Sequence, residues 1–192
     1  MNKINKNDIT AVILAGGRSS RMGGDDKGLI EFRGKPMIGY ACDVVQEKVG
    51  KILISANRNH GAYQAYGEVV EDNLADFQGP LSGISAALNA CSTPYLLVLP
   101  CDSPLITSEL VDEIIAKMAA SSAEICVAHD GQIMHATFAL IRSDLDASLD
   151  EFLASGERKM ALWYRGQKLA RVDVSSHLEV LTNINRVEDL AL

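Results

Sequence analysis

The sequence predicts an α/β domain with a mostly parallel sheet and one antiparallel member. Short apolar runs alternate with stretches of helical period along the chain, the pattern of strands joined by crossover helices. The first run, Thr10–Leu14, has the unbroken apolar character of a strand buried on both faces. Late in the chain, two strand-like runs flank the turn Asp130-Gly131 with too few residues between them for a crossover. They must therefore pair antiparallel.

Each element has its own signal. After Thr10–Leu14, Pro36 suits the first turn of a helix, and Met37, Ala41, Val44 and Val45 fall on one face of it. Lys51–Ala56 reads as a second strand and Glu68–Glu71 as a short third one. Gly79-Pro80 opens a helix whose inward stripe is Leu81, Ile84 and Leu88. Tyr95–Leu99 is the most strand-like run and is stopped by Pro100. Thr107 is the expected N-cap of a helix burying Leu110, Val111, Ile114, Ile115 and Met118. Glu124–His129 and Met134–Ile141 are the antiparallel pair. Ser143 is expected to cap a helix with Leu145, Leu149, Phe152 and Leu153 inward, and Trp163 with Tyr164 reads as packing. Lys168–Val174 is a last strand and Arg186–Leu190 a terminal helical turn. No repeat, low-complexity tract or linker interrupts residues 1–192, so one domain is expected.

Composition narrows the function classes. The apolar fraction of 47% and charged fraction of 22% are those of a globular protein, and no apolar run is long enough to span a bilayer. The polar start, Met1 to Asp8, is unlike a secretory leader. Four scattered cysteines (Cys42, Cys91, Cys101, Cys126) read as buried thiols of a cytoplasmic protein, without disulfide or zinc spacing. A net charge of −7 argues against general nucleic-acid binding. Yet Met1 through Pro36 carry seven Lys/Arg against four Asp/Glu, so the positive charge gathers near one loop. A small anionic ligand fits that distribution.

The loop follows the first strand: Leu14-Ala15-Gly16-Gly17-Arg18-Ser19-Ser20-Arg21-Met22-Gly23-Gly24-Asp25-Asp26-Lys27-Gly28. Glycines let backbone N–H groups approach an anion, and Arg18, Arg21 and Lys27 add charge and donors suited to a polyphosphate. Neither the Walker A spacing nor the dinucleotide fingerprint is present. Ligands of open α/β sheets sit at the carboxyl ends of the strands. That rule gathers Gly16, Gly17, Ser55, Asn57, Asp72 and Asp102 in one cleft. Asp102 lies in Pro100-Cys101-Asp102-Ser103-Pro104, where two prolines restrict the backbone around the acid. A carboxylate beside phosphates is repulsive unless a cation intervenes. Mg²⁺, which takes one or two carboxylates plus phosphate oxygens, makes Asp102 the expected metal ligand. Gln78-Gly79-Pro80 leads into a helix N-terminus, a second place for an anion or a base edge. His60, His129, His135 and His177 lack ligand spacing and read as structural.

The glycine loop resembles the L-x-G-G-x-x-x-R-M-G-x-x-K signature of nucleotidyltransferases that activate sugars and cofactors. Leu14-Ala15-Gly16-Gly17, Arg21-Met22-Gly23-Gly24 and Asp26-Lys27-Gly28 look most like the molybdenum cofactor guanylyltransferases. Pro100-Cys101-Asp102-Ser103-Pro104, Gly79-Pro80-Leu81 and Thr182-Asn183-Ile184-Asn185 resemble further segments of that family. The resemblance implies a three-layer Rossmann-like nucleotidyltransferase fold and transfer of GMP from GTP to molybdopterin or its molybdenum-loaded form, releasing pyrophosphate. It implies Mg²⁺ on Asp102, Arg21 and Lys27 against the phosphates, and the Leu14–Gly17 backbone at their β/γ end. Asp72, Ser55, Asn57 and Gly79 would serve the nucleoside, with Ser55 standing where the family has asparagine. Asn183 and Asn185 would face the pterin. Apart from the resemblance, Arg142, Arg158 and Lys159 are cations that could reach its phosphate, although charges at helix ends usually belong to solvated faces. Expected partners are a molybdenum-insertion protein upstream and a molybdoenzyme or its chaperone downstream. The rivals are a cytidylyltransferase for the same pterin, a sugar-phosphate nucleotidyltransferase and a non-catalytic nucleotide-binding module.

Overall fold

The computed structural model describes residues 3–16, 26–71 and 79–191. The alternation seen in the sequence becomes a seven-stranded sheet between two layers of helices. The first strand, β1 (Ile9–Leu14), lies at its centre and pairs in parallel with β4 (Lys51–Ser55) and β6 (Tyr95–Pro100). Beyond β4 comes β5 (Glu68–Val70). On the other side the order continues through β8 (Met134–Arg142), β7 (Ile125–His129) and β9 (Leu169–Asp173). β8 is antiparallel to both β6 and β7, as the short connection demands. A small hairpin of β2 (Glu31–Phe32) and β3 (Lys35–Pro36) stands apart from the main sheet.

The helices cover both faces because the central strands are apolar on both. One layer holds α1 (Met37–Val45) and α4 (Ser108–Ala119), which pack Ile38, Ala41, Leu110 and Ile114 over Ala11, Ile13, Leu97 and Leu99. The other holds α3 (Pro80–Ala90), α5 (Asp146–Ala154) and α6 (Met160–Arg165), whose Leu81, Ile84, Leu149 and Trp163 meet Val12, Leu96 and Val98. Each fully buried valine, leucine or isoleucine among them contributes about 1.5–3 kcal/mol. Burial pushes the Cys42 and Cys126 thiols up to about 12, so both stay protonated core residues. Among the described residues no helix is long and apolar enough to cross a membrane.

Several expectations need correction. Ser143 does not cap the helix after β8. It begins a 3₁₀ turn, Ser143–Leu145, that passes directly into α5 with Leu145 at the N-cap. Pro36 lies outside α1, at its N-cap and in the β2–β3 hairpin. The one-turn helix α2 (His60–Tyr63), the hairpin and α6 carry too few periodic positions to announce themselves in sequence. Thr107 caps α4 as expected, accepting from the Leu110 N–H at 3.4 Å.

Candidate active site

The chain visits β4 and β5 on one side of β1 and then crosses to β6 on the other. The crevice at the carboxyl ends of β1, β4 and β6 is thus a topological switch point. Register brings the ends level: Leu14 pairs with both Ser55 and Pro100. The ladder continues one step further, through Ala15 N–H to Ser55 O at 2.8 Å and Cys101 N–H to Leu14 O at 3.1 Å. Leu14, Ala15 and Gly16 therefore form the floor between Ser55 and Asp102. The Asn57 amide flanks Gly16, 3.7 Å from where a β-carbon would stand. Gly79 takes φ 85° to enter α3, a left-handed geometry that favours glycine, and its carbonyl accepts from the Ser82 hydroxyl at 2.8 Å. Gly17, Arg21 and Asp72 lie outside the described residues.

Asp102 and Lys27 meet across the cleft. The Lys27 ammonium lies 3.1 Å from Asp102 Oδ2 and donates to Asn185 Oδ1 at 2.6 Å. Both partners of the ion pair are mostly shielded, with side chains 21% and 17% exposed. The Asp102 carbonyl accepts from the Ile184 N–H at 2.8 Å, and the Ser103 hydroxyl reaches Asn183 Oδ1 at 2.5 Å. Ile184 itself is fully buried against Phe32 and Met37. Alternation along 182–185 thus turns Asn183 to Ser103 and Asn185 to Lys27 while Ile184 anchors the segment.

The Asp189 carboxylate fastens the next turn, accepting from the Asn185 and Arg186 N–H groups at 2.8 and 2.9 Å. Those bonds hold its pKa below the ordinary carboxylate value. A lowered folded pKa means that the contribution is present above the unfolded value and fades as pH falls through the folded one. The amide resonances of Asn185 and Arg186 should therefore hold steady from neutrality and move only on acidification below about pH 4. Asp189→Asn should abolish that step. A step of the same midpoint in the variant would assign it to another group.

Asp26 is the site residue that sequence reasoning left without a role. Its side chain is 2% exposed and accepts from the Tyr63 hydroxyl at 2.5 Å, Asn59 Nδ2 at 3.2 Å and Arg58 Nε at 3.3 Å. Burial and the bond to Asp26 push the Tyr63 phenol well above its usual range, so it remains a donor at any working pH. The only signal for Tyr63 in the sequence is a single aromatic residue in the polar stretch 57–64, which does not distinguish a core anchor from a surface ring.

The cations expected against a second phosphate are distributed differently. Arg142 is excluded: β8 runs antiparallel, which puts Arg142 opposite Tyr95, at the far end of β6 from Asp102. There it pairs with Asp144 beside a surface depression lined also by Pro94, Tyr95 and Ser143. Arg158 stands in the α5–α6 connection, its guanidinium on the carbonyls of Leu153 and Glu157. The histidines are engaged away from the Lys27–Asp102 pair: His60 with Glu71, His135 with Asp130, His129 with the Gly131 N–H and His177 with Ser176. Trp163 and Tyr164 are buried, bonded to Ser148 and to the Ala136 carbonyl.

No three acidic, histidine or cysteine groups converge among the described residues to cage a metal. A single carboxylate at a strand end, already drawing a cationic ammonium, is instead the donor set that suits Mg²⁺ shared with phosphate oxygens. The site thus fits that ion when a nucleotide accompanies it.

Comparison with known proteins identifies relatives of the whole domain. Residues 11–172 match the family model of the MobA-like NTP transferase domain. Molybdenum cofactor guanylyltransferases of Shewanella halifaxensis and Shewanella putrefaciens are each 41% identical to this chain. The first covers 181 residues, 94% of this chain and 90% of that protein; the second covers 182 residues, 94% and 93%. Among solved structures, the molybdopterin-guanine dinucleotide biosynthesis protein A of Archaeoglobus fulgidus superposes with a TM-score of 0.78 at 18% identity, over 95% of each chain. The bifunctional IspDF of Campylobacter jejuni reaches 0.75 at 16% identity, over 96% of this chain and 54% of that one.

Proposed function

The chain belongs to the family of MobA-like NTP transferases, and on that premise we propose that it transfers GMP from GTP to molybdopterin, or its molybdenum-loaded form. Pyrophosphate leaves and the guanine dinucleotide form of the cofactor is the product. The observation that carries this reading is the Lys27–Asp102 pair at the switch point, in a chain so closely related to guanylyltransferases.

The acceptor phosphate is already ionised at neutral pH, so attack on the α-phosphorus of GTP needs no general base. Positioning and charge neutralisation are the work that remains. Lys27 is well placed to set its ammonium against the phosphate oxygens, with Asn185 steering it. Arg21 adds a second cation in this reading, and the Leu14–Gly17 backbone takes the β/γ end of the triphosphate. Ser55, Asn57, Asp72 and Gly79 are assigned to the nucleoside, Asn183 and Asn185 to the pterin side of the cleft. Asp102 holds Mg²⁺, which supplies charge neutralisation on the phosphates when bound. Four cysteines without a disulfide suit a cytoplasmic enzyme. Handover would run from a molybdenum-insertion protein to a molybdoenzyme or its chaperone.

The test is the thermal transition of the purified protein in Mg²⁺ with GTP, CTP, ATP and UTP in turn, followed by pyrophosphate release on adding molybdopterin. GTP alone should raise the apparent stability, by about 2.7 kcal/mol at a hundredfold excess over Kd. A shift with CTP alone would move the chain to the cytidylyl reaction. GTP binding without pyrophosphate release would leave a binding module.

A further inference from the structure

One phenol joins three segments of the cleft that are distant in sequence. Tyr63, fully buried, donates to Asp26 on the residue before Lys27. Gly28, the residue after Lys27, lies directly on the same ring. A β-carbon there would stand 2.7 Å from the Tyr63 hydroxyl oxygen, 3.2 Å from Cε1 and 3.4 Å from the β-carbon of Cys101, the neighbour of Asp102. Asp26 also accepts from Asn59 and Arg58, in the turn that continues from Ser55 and Asn57. Asn59 adopts the left-handed conformation (φ 54°), which asparagine tolerates and which aims its amide at the carboxylate.

We propose that Tyr63 and Asp26 are positioning residues that fix the backbone on both sides of Lys27 and tie its ammonium to the nucleoside-side turn at residues 57–59. The inference rests on the reading of Lys27 given above and deepens it. A buried carboxylate holds its place through its donors, and losing one leaves its charge less fully compensated and free to move toward those that remain. Tyr63 supplies the shortest of the three bonds and is itself set by core packing, whereas Asn59 and Arg58 come from a surface turn. Removing the hydroxyl frees the Asp26–Gly28 step to shift. A displacement of about 1 Å at a charged group is enough to cost up to a hundredfold in rate. The bonds also give a route by which nucleoside contacts at Asn57 affect where Lys27 stands.

The test is a double-mutant cycle on pyrophosphate release from GTP with molybdopterin, kcat and KM read separately and thermal transitions recorded alongside. Tyr63→Phe should lower kcat/KM by about tenfold to a hundredfold. In the Lys27→Ala background the same change should cost less than about twofold, because the group it positions is gone. Equal losses in both backgrounds, or a Tyr63→Phe enzyme within about twofold of wild type, would overturn the proposal while leaving Lys27 in its role. A Lys27→Ala enzyme close to wild type overturns both, and that single variant identifies which reading failed first. Should Tyr63→Phe not fold, Asn59→Gly, which keeps the left-handed turn and removes only the amide donor, enters the same cycle with the same criteria.

Discussion

Lys27→Ala is expected to lower kcat/KM by about 10²–10³-fold, roughly 3–4 kcal/mol. The size follows from the loss of one preorganised cation aimed at charge that develops during transfer, in a cleft where solvent screens poorly. The ammonium sits on a residue whose neighbours are packed, faces Asp102 and Asn185, and is only 21% exposed along its side chain. A merely structural ion pair so shielded would show its loss in stability and leave the rate of the folded enzyme unchanged. The decisive comparison is therefore turnover against melting temperature in the same samples. Turnover within tenfold of wild type would remove Lys27 from the chemistry.

Asp102→Asn is the second large effect. The amide preserves the shape and leaves the backbone acceptor for Ile184 in place, so the C-terminal segment should stay docked. What is lost is the charge that suits a divalent ion. Loss of groups that only support a metal ligand costs about 10–100-fold in affinity, and loss of the ligand itself should cost at least that. Mn²⁺ titration by electron paramagnetic resonance, with GTP present, reads this directly and without turnover. Binding as tight in the variant as in wild type would reassign the metal to another group. Turnover in Mg²⁺ should fall by about 10²-fold or more, since a bound ion contributes several kcal/mol to phosphoryl-type transition states.

The fold was largely legible. An unbroken apolar run, a proline at the end of another and a tight turn between two late strands are local signals, and the strands they mark pair as expected. Where the local signal is short, the reading failed. α2 is a single turn, and Ser143 resembles a cap in sequence although the chain makes a 3₁₀ turn there before α5. Arg142 shows a different limit. Its charge is visible in sequence, but its end of the sheet depends on β8 being antiparallel and inserted between β6 and β7, which puts it opposite Tyr95.

The site divides in the same way. The end of β1 at Leu14, the end of β6 just before Asp102 and the glycine opening α3 are legible in sequence alone, because strand ends, fixed φ angles and positive φ are properties of a few neighbouring residues. Tertiary structure decided which of these groups meet. Lys27 contacts Asp102 across 75 residues of chain and Asn185 across 158, and Asp26 is solvated or buried according to whether Tyr63, 37 residues away, closes over it. Periodicity and spacing report on the nearest turn or strand, whereas these contacts are set by the order of strands in the sheet and by the core that brings α2 and the C-terminal segment against it.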